Sequence, residues 1–504
     1  MKFRLLRAIL SICMLACCWG APASAEWRRA ESPNFIVFGE ASEARLRERI
    51  RQLEEFDRLL RIITTVRREP SATKFTVYLV TGANDLRILR NVPTGVAGFY
   101  TATPDGMAAF ADTSAAMENN AVLFHEYVHH FMWQYAPSAY PAWYVEAFAE
   151  YFMTAYFRDG SVDIGNFSRG RGYSITGGTW LPIERVLFGT VRGLNRDDAP
   201  QYYAQAWLIL HYFYATDERR QAMQRYLDAI SSGTDPGEAL PQATGLTPAQ
   251  LQAALRTYIA GGRIAYRRMQ WPATQPPPIT VTLLPRSAND LLLYQASLRV
   301  GVAPELQARN LDRIRAAAAR HGEDPFARRV LAHAELLYGD AATGERLLDS
   351  LLAAAPQDAE LLYLKGMRHL LAFEKGENPE ANARLAQRFF SRAHRIDGNH
   401  YQTLFRFAQS LQGSAQFESE NTSNILLLAH QLAPQVNTIR MNAARMLISR
   451  GEVAHAEALL RPLISNQHDE SLAQAAQQLL DSARTPQTPP QAPPSPAATP
   501  AARQ

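Results

Sequence analysis

Ala332, Gly339, Gly344, Leu348 and Leu351 return as Ala444, Gly451, Ala456, Leu460 and Leu463, each 112 positions later. That offset suits three repeats of about 34 residues plus an insertion, a period at which helical hairpins stack on one another. Gly366 follows Ala332 by one such period, and Ala386, Phe390 and Ala393 continue the pattern after extra residues around Glu374 to Glu380. Small residues at fixed places let paired helices touch. Residues 289–484 are therefore expected to be all-α.

The rest of the 504 residues divides around that array. The proline-dense stretch Trp271 to Pro285 reads as a boundary, giving a linker over 271–288 and a separate domain over 26–270. Residues 485–504, rich in proline and alanine, read as a disordered tail. At the other end Lys2, Arg4 and Arg7 precede a mostly apolar run to Trp19, and Ala23-Ser24-Ala25 offers a cleavage site before Glu26. Residues 1–25 therefore read as a signal peptide, too short to span a bilayer, and imply a periplasmic or secreted product. An imperfect lipidation site at Leu15 to Cys18 offers an anchored alternative. Cys13, Cys17 and Cys18 are the three cysteines and all lie in this leader, so the mature chain would carry neither disulfide nor thiolate metal site. The formal charge is +4, of which Lys2, Arg4 and Arg7 supply three. The remaining +1 gives no basis for nucleic-acid binding.

Within 26–270 the pattern is α+β. Asn34 to Phe38 and Phe75 to Val80 read as strands around an amphipathic helix from Ala41 to Ile63, with weaker strands at Gly95 to Tyr100 and Met107 to Ala111. Helices are expected from Ala115 towards Tyr135, from Trp143 to about Phe157, over Tyr202 to Tyr214 and over Thr247 to Ile259. Gly160 to Gly178 reads as a loop.

The first of those helices carries His125-Glu126-Tyr127-Val128-His129. Positions i and i+4 lie about 40° apart around a helix, so both imidazoles can share one metal ion with Glu126 beside them. A hydrolytic zinc site takes three protein ligands and leaves a position for water. Glu146, seventeen residues after His129 on the next helix, can supply the third. Glu150, one turn further on, can accept a hydrogen bond from a ligating histidine; its plain alternative is a surface carboxylate. Tyr203 can donate to an oxyanion, or be a core aromatic at helical spacing with Trp207. His130 points about 100° away from His129 and suits a polar or supporting place better than ligation.

His-Glu-x-x-His followed by Trp143-Tyr144-Val145-Glu146-Ala147-Phe148-Ala149-Glu150 resembles the gluzincin zinc peptidases, and most closely the bacterial peptidase-MA-like proteins, over about residues 27 to 260. The resemblance implies a metallopeptidase fold, Zn²⁺ held by His125, His129 and Glu146, and Glu126 as general base. Ala147 departs from the glycine common in the aminopeptidase branch. Ala116-Met117-Glu118-Asn119 looks like an aminopeptidase motif but lies too close to His125 to share its role. The region 289–484 is similar to tetratricopeptide repeats, which implies a protein partner; an unrelated stack of helical hairpins leaves the same signature. The combined expectation is an exported zinc metallopeptidase acting on a peptide or protein substrate. The rivals are a repeat-based interaction protein with an inactive peptidase domain, and a metal-dependent hydrolase of other substrates.

Overall fold

The computed structural model describes residues 26–92, 97–113, 120–189, 194–195, 197–261, 264–465 and 470–484. The leader, its cysteines, Ala116–Asn119 and the tail from 485 lie outside the described residues. The described chain is mostly helical, with a small mixed sheet near its start.

The sheet is built from β1 (Arg28–Glu31), β2 (Phe35–Gly39), β3 (Phe75–Val80), β4 (Gly98–Ala102), β5 (Met107–Asp112) and β9 (Thr280–Leu283), in the order β4-β5-β3-β2-β1-β9. Phe35 to Gly39 and Phe75 to Leu79 pair in parallel. A parallel pair needs a crossover, here α1 (Glu43–Thr64), whose first turn is capped by the Ser42 hydroxyl. Side chains alternate across the strands. Phe35, Val37, Phe75 and Val77 face α1 and α3 (Ala121–Tyr135). Tyr78, Val80 and Phe110 face the other way, onto α2 (Ala83–Leu89).

After α3 come α4 (Ala142–Phe152), the antiparallel strands β6 (Tyr156–Arg158) and β7 (Ser161–Ile164), and α5 (Arg169–Gly177). Then follow α6 (Ile183–Phe188), α7 (Asp198–Tyr214), α8 (Asp217–Ser231), α9 (Pro236–Thr244) and α10 (Pro248–Ala260). The segment 160–178 is thus not a loop. Ile164 is buried, Asp163 on β7 takes a bidentate ion pair from Arg268 on β8 (Arg267–Gln270), and Ser168 caps α5. Tertiary contacts override the glycines there.

From Ala288 the chain is helical: α11 (Ala288–Val300), α12 (Pro304–Arg320), α13 (Pro325–Tyr338), α14 (Ala341–Ala354), α15 (Ala359–Glu374), α16 (Pro379–Ile396), α17 (Tyr401–Ser410), α18 (Glu420–Leu432), α19 (Asn437–Ser449), α20 (Val453–Ile464) and α21 (Glu470–Arg484). They stack as hairpins, and the small residues sit where helices touch. A Cβ on Gly344 would come within 2.9 Å of the Ala332 carbonyl oxygen, and one on Gly366 within 2.5 Å of the Phe390 ring.

Residues 271–288 do more than connect. Trp271 is buried against Phe157 and donates to Glu55 at 2.7 Å, and β9 pairs antiparallel with β1. Ala288, Leu292, Leu293, Ala296 and Val300 of α11 then cover the face of the sheet that carries Tyr78, Val80 and Phe110. Fully burying a Leu or Val side chain stabilises by about 1.5–3 kcal/mol. Loss of this face would cost on the order of 10 kcal/mol, comparable to the whole stability of a domain. The linker expectation is corrected accordingly: the two regions share a core. A fragment of residues 26–270 should be insoluble or melt without a cooperative transition, whereas 26–484 should unfold cooperatively by circular dichroism. A soluble 26–270 fragment with a sharp transition would contradict the shared core.

Candidate metal centre

The chain bends between α3 and α4 at Pro137 and Pro141, and this brings two helices face to face. Phe124, Val128 and Phe131 turn α3 into the core, with Phe124 stacked on Phe56 of α1 at 3.9 Å between ring centroids. Tyr127 donates to Asp57 of α1 at 2.6 Å. With that face anchored, His125 and His129 point towards α4, whose Trp143 is fully buried.

The structure brings His125, His129 and Glu146 together. His125 Nε2 lies 3.1 Å from His129 Nε2 and 3.4 Å from Glu146 Oε2, and His129 Nε2 lies 3.8 Å from the same oxygen. One ligand atom from each falls within 4.8 Å of the others, and these three are the group that meets this condition among the described residues. Donors about 2.0–2.1 Å from a tetrahedral ion stand roughly 3.3 Å apart. Two imidazoles and a carboxylate at these separations therefore fit a zinc ion.

Glu150 is buried, with Oε1 3.5 Å from His125 Nδ1. It is not a surface carboxylate. Arg171 of α5 holds both its oxygens, Nε and Nη2 each donating at 2.8 Å. Burial alone would push the His125 imidazole down, but Glu146, Glu150 and Glu126 lift it to about 9. Burial raises the Glu126 carboxyl above its usual range against the pull of His125, and the backbone of Tyr100 on β4 hydrogen-bonds it. Tyr203 of α7 places its ring 6.3 Å from that of His125, with the Arg171 guanidinium 5.0 Å from its centroid. Glu146 and then burial raise its hydroxyl, keeping it protonated. Trp207 is the core aromatic of that pair, fully buried. His130 is buried and bonded through Nδ1 to the Tyr100 hydroxyl at 3.1 Å, away from the three donors. Nothing in the sequence pointed to Arg171, since it lies on a helix that its glycines disguise.

No family model matches the chain, and no curated protein matches it. Among solved structures, the crystal structure of yeast Tom70, a helical-repeat protein, matches at 14% identity with a TM-score of 0.31. The match covers 60% of this chain and 64% of that one, so the chain spans less than two thirds of Tom70's length. The gluzincin resemblance is corrected accordingly: with no matching family model and no matching curated protein, a gluzincin domain is not shown. The reason is physical. Two short helical motifs encode the directions of a few ligand side chains, and any fold that packs two such helices together satisfies them. The architecture stands as a small sheet with helices followed by a helical-repeat array, and no described helix is long and apolar enough to cross a membrane.

The Arg171–Glu150–His125 chain yields a test that leaves the three donors intact. Supports of this kind are typically worth 10- to 100-fold in metal affinity. Arg171→Ala should therefore weaken zinc binding by about tenfold or more in competition with a chromophoric chelator, with helix content unchanged. Unaltered zinc affinity in that variant would leave the Glu150 pair a purely structural one.

Proposed function

We propose that this protein is a zinc-dependent hydrolase of peptide bonds, exported from the cytoplasm as its basic and apolar leader implies. The observation that carries the reading is the convergence of His125, His129 and Glu146, with Glu126 in the same cleft. Held by His125, His129 and Glu146, zinc would supply Lewis acidity towards a carbonyl and a water. The chain's own groups do the rest. Glu126 lines the cleft beside His129 and Glu146, where its carboxylate takes a proton from the attacking water and passes it to the leaving amine. The neutral Tyr203 hydroxyl donates to the carbonyl oxygen as charge develops there. Glu150, clamped by Arg171, fixes the His125 ring.

A second reading has its own support. The stacked hairpins from α12 to α21 suit an interaction protein that recruits a partner, with the zinc site idle. Turnover separates the two.

Glu126→Gln barely changes size and shape, so it should keep near-stoichiometric zinc and lose almost all turnover of casein or peptide libraries. Glu146→Ala removes a charged ligand, and metal and activity should fall together. Tyr203→Phe should lower kcat by about 10²-fold with KM little changed. If Glu146→Ala held full zinc while Glu150→Ala lost it, the two carboxylates would have exchanged roles. If the wild type held zinc and cleaved nothing, the interaction reading would replace the hydrolase.

A further inference from the structure

The cleft continues beyond the metal donors. A cavity of about 370 Å³ has Glu126, His129 and Glu146 in its lining and extends along both helices towards the turn at 137–141. On α3 the wall passes from His129 to Trp133, one turn further on; on α4 it passes from Glu146 back to Ala142, one turn earlier. Away from the donors the wall is apolar: Met132, Trp133, Tyr140 and Val145 line it, and Pro462 of α20 closes it from the side of the repeats. Trp133, Tyr140 and Val145 are each only partly buried, so an occupant can touch them. Among the described residues, no other charged side chain lines the cavity, and the Ser138 hydroxyl on its wall is already paired with that of Ser231 at 3.0 Å.

The repeats hold Trp133 in place. The buried Arg440 of α19 donates to the Pro434 carbonyl at 2.8 Å and sets its guanidinium 4.8 Å from the Trp133 centroid, while the indole packs against the core of α19 to α21. Just before α19, the Gln435 amide donates to Gln134 Oε1 of α3 at 2.8 Å, which ties the same helices together. The aromatic wall is therefore fixed before any ligand arrives. A charged group entering this space would give up water with no counter-charge to meet it, whereas an apolar group gains by leaving water. The volume lies at the small end of ligand clefts, about 300–1,000 Å³. It suits one large side chain and not a folded surface.

We propose that this cavity selects peptides carrying a large apolar residue, aromatic or leucine-like, beside the scissile bond, and that Trp133 is the residue that sets the preference. The repeats take part in the selection by holding the indole and by supplying Pro462. The assignment rests on the peptidase reading above and names its substrate class.

The test is calorimetric titration of the zinc-loaded full chain with acetohydroxamate and with 3-phenylpropanohydroxamate. Both engage the metal through the same group, but only the second carries a large apolar side chain. One methylene in an apolar pocket is worth about 10- to 200-fold, so the wild type should bind the phenyl probe at least about tenfold more tightly than acetohydroxamate. Trp133→Ala should bind acetohydroxamate as the wild type does and bind the phenyl probe about tenfold more weakly. Val145→Phe, which fills the cavity where Trp133→Ala opens it, should also lose affinity for the phenyl probe alone. Equal wild-type affinity for the two probes would overturn the assignment and leave the peptidase reading standing. A Trp133→Ala chain that loses both probes by the same factor would overturn it too, since the indole would then support the metal helix without selecting. A zinc-loaded wild type that binds neither probe would overturn the peptidase reading itself, and the pocket with it.

Discussion

The packing of α3 is the constraint on which the rest depends. One side of that helix is anchored in the core by Phe124, Tyr127, Val128 and Phe131, and the Gln435 and Arg440 contacts pin its C-terminal half to the repeats. What is left of its circumference is the stripe holding His125 and His129. Because α4 must bury Trp143 and Ala147 against the same core, its own remaining stripe, Glu146 and Glu150, faces those histidines. The site is thus formed by the polar stripes of two helices whose other faces are committed. Its carboxylates come close enough that unpaired burial would cost several kcal/mol each. The charge on Arg171 and the raised His125 imidazole offset this, and a divalent cation would do so more fully.

A similar commitment of faces joins the two halves of the chain. The tip of the β4–β5 hairpin is held by the repeats: Tyr401 donates to the Thr103 carbonyl at 3.1 Å, Gln402 to that of Asp105 at 3.4 Å, and Arg406 pairs with the Asp105 carboxylate. Asn310 donates to Ile88 and Arg461 to Ser231, each at 3.0 Å. With α11 sharing the sheet's second face, the array is a structural wall of the N-terminal region. A strand whose residue Tyr100 bonds Glu126 and His130 is positioned partly by helices from the far end of the chain.

Much of this was legible locally. Phe75–Val80 forms a strand with the bounds that its β-branched and aromatic run implies, and the helices of His125 and Glu146 end near Pro137 and begin at Pro141. That His125 and His129 point the same way was legible because i and i+4 directions are a property of one helix. Arg171 was not, since it reaches the site only through tertiary packing. Residues 271–288 were misleading for a related reason: proline marks a break in regular structure, but a short edge strand such as Thr280–Leu283 survives between prolines once a partner strand exists. The motif pair also pointed to a family that the comparisons do not return, because ligand geometry constrains a few side-chain directions and leaves topology open.

His125, His129 and Glu146 are proposed jointly to hold one zinc ion. X-ray absorption on the full chain, reconstituted with a single equivalent of zinc, tests it directly. One tightly bound ion per chain is expected, with two imidazole nitrogens at about 2.0–2.1 Å and oxygen completing a four-coordinate shell. A chain that retains no zinc after desalting, or a spectrum with fewer than two imidazoles, would contradict it.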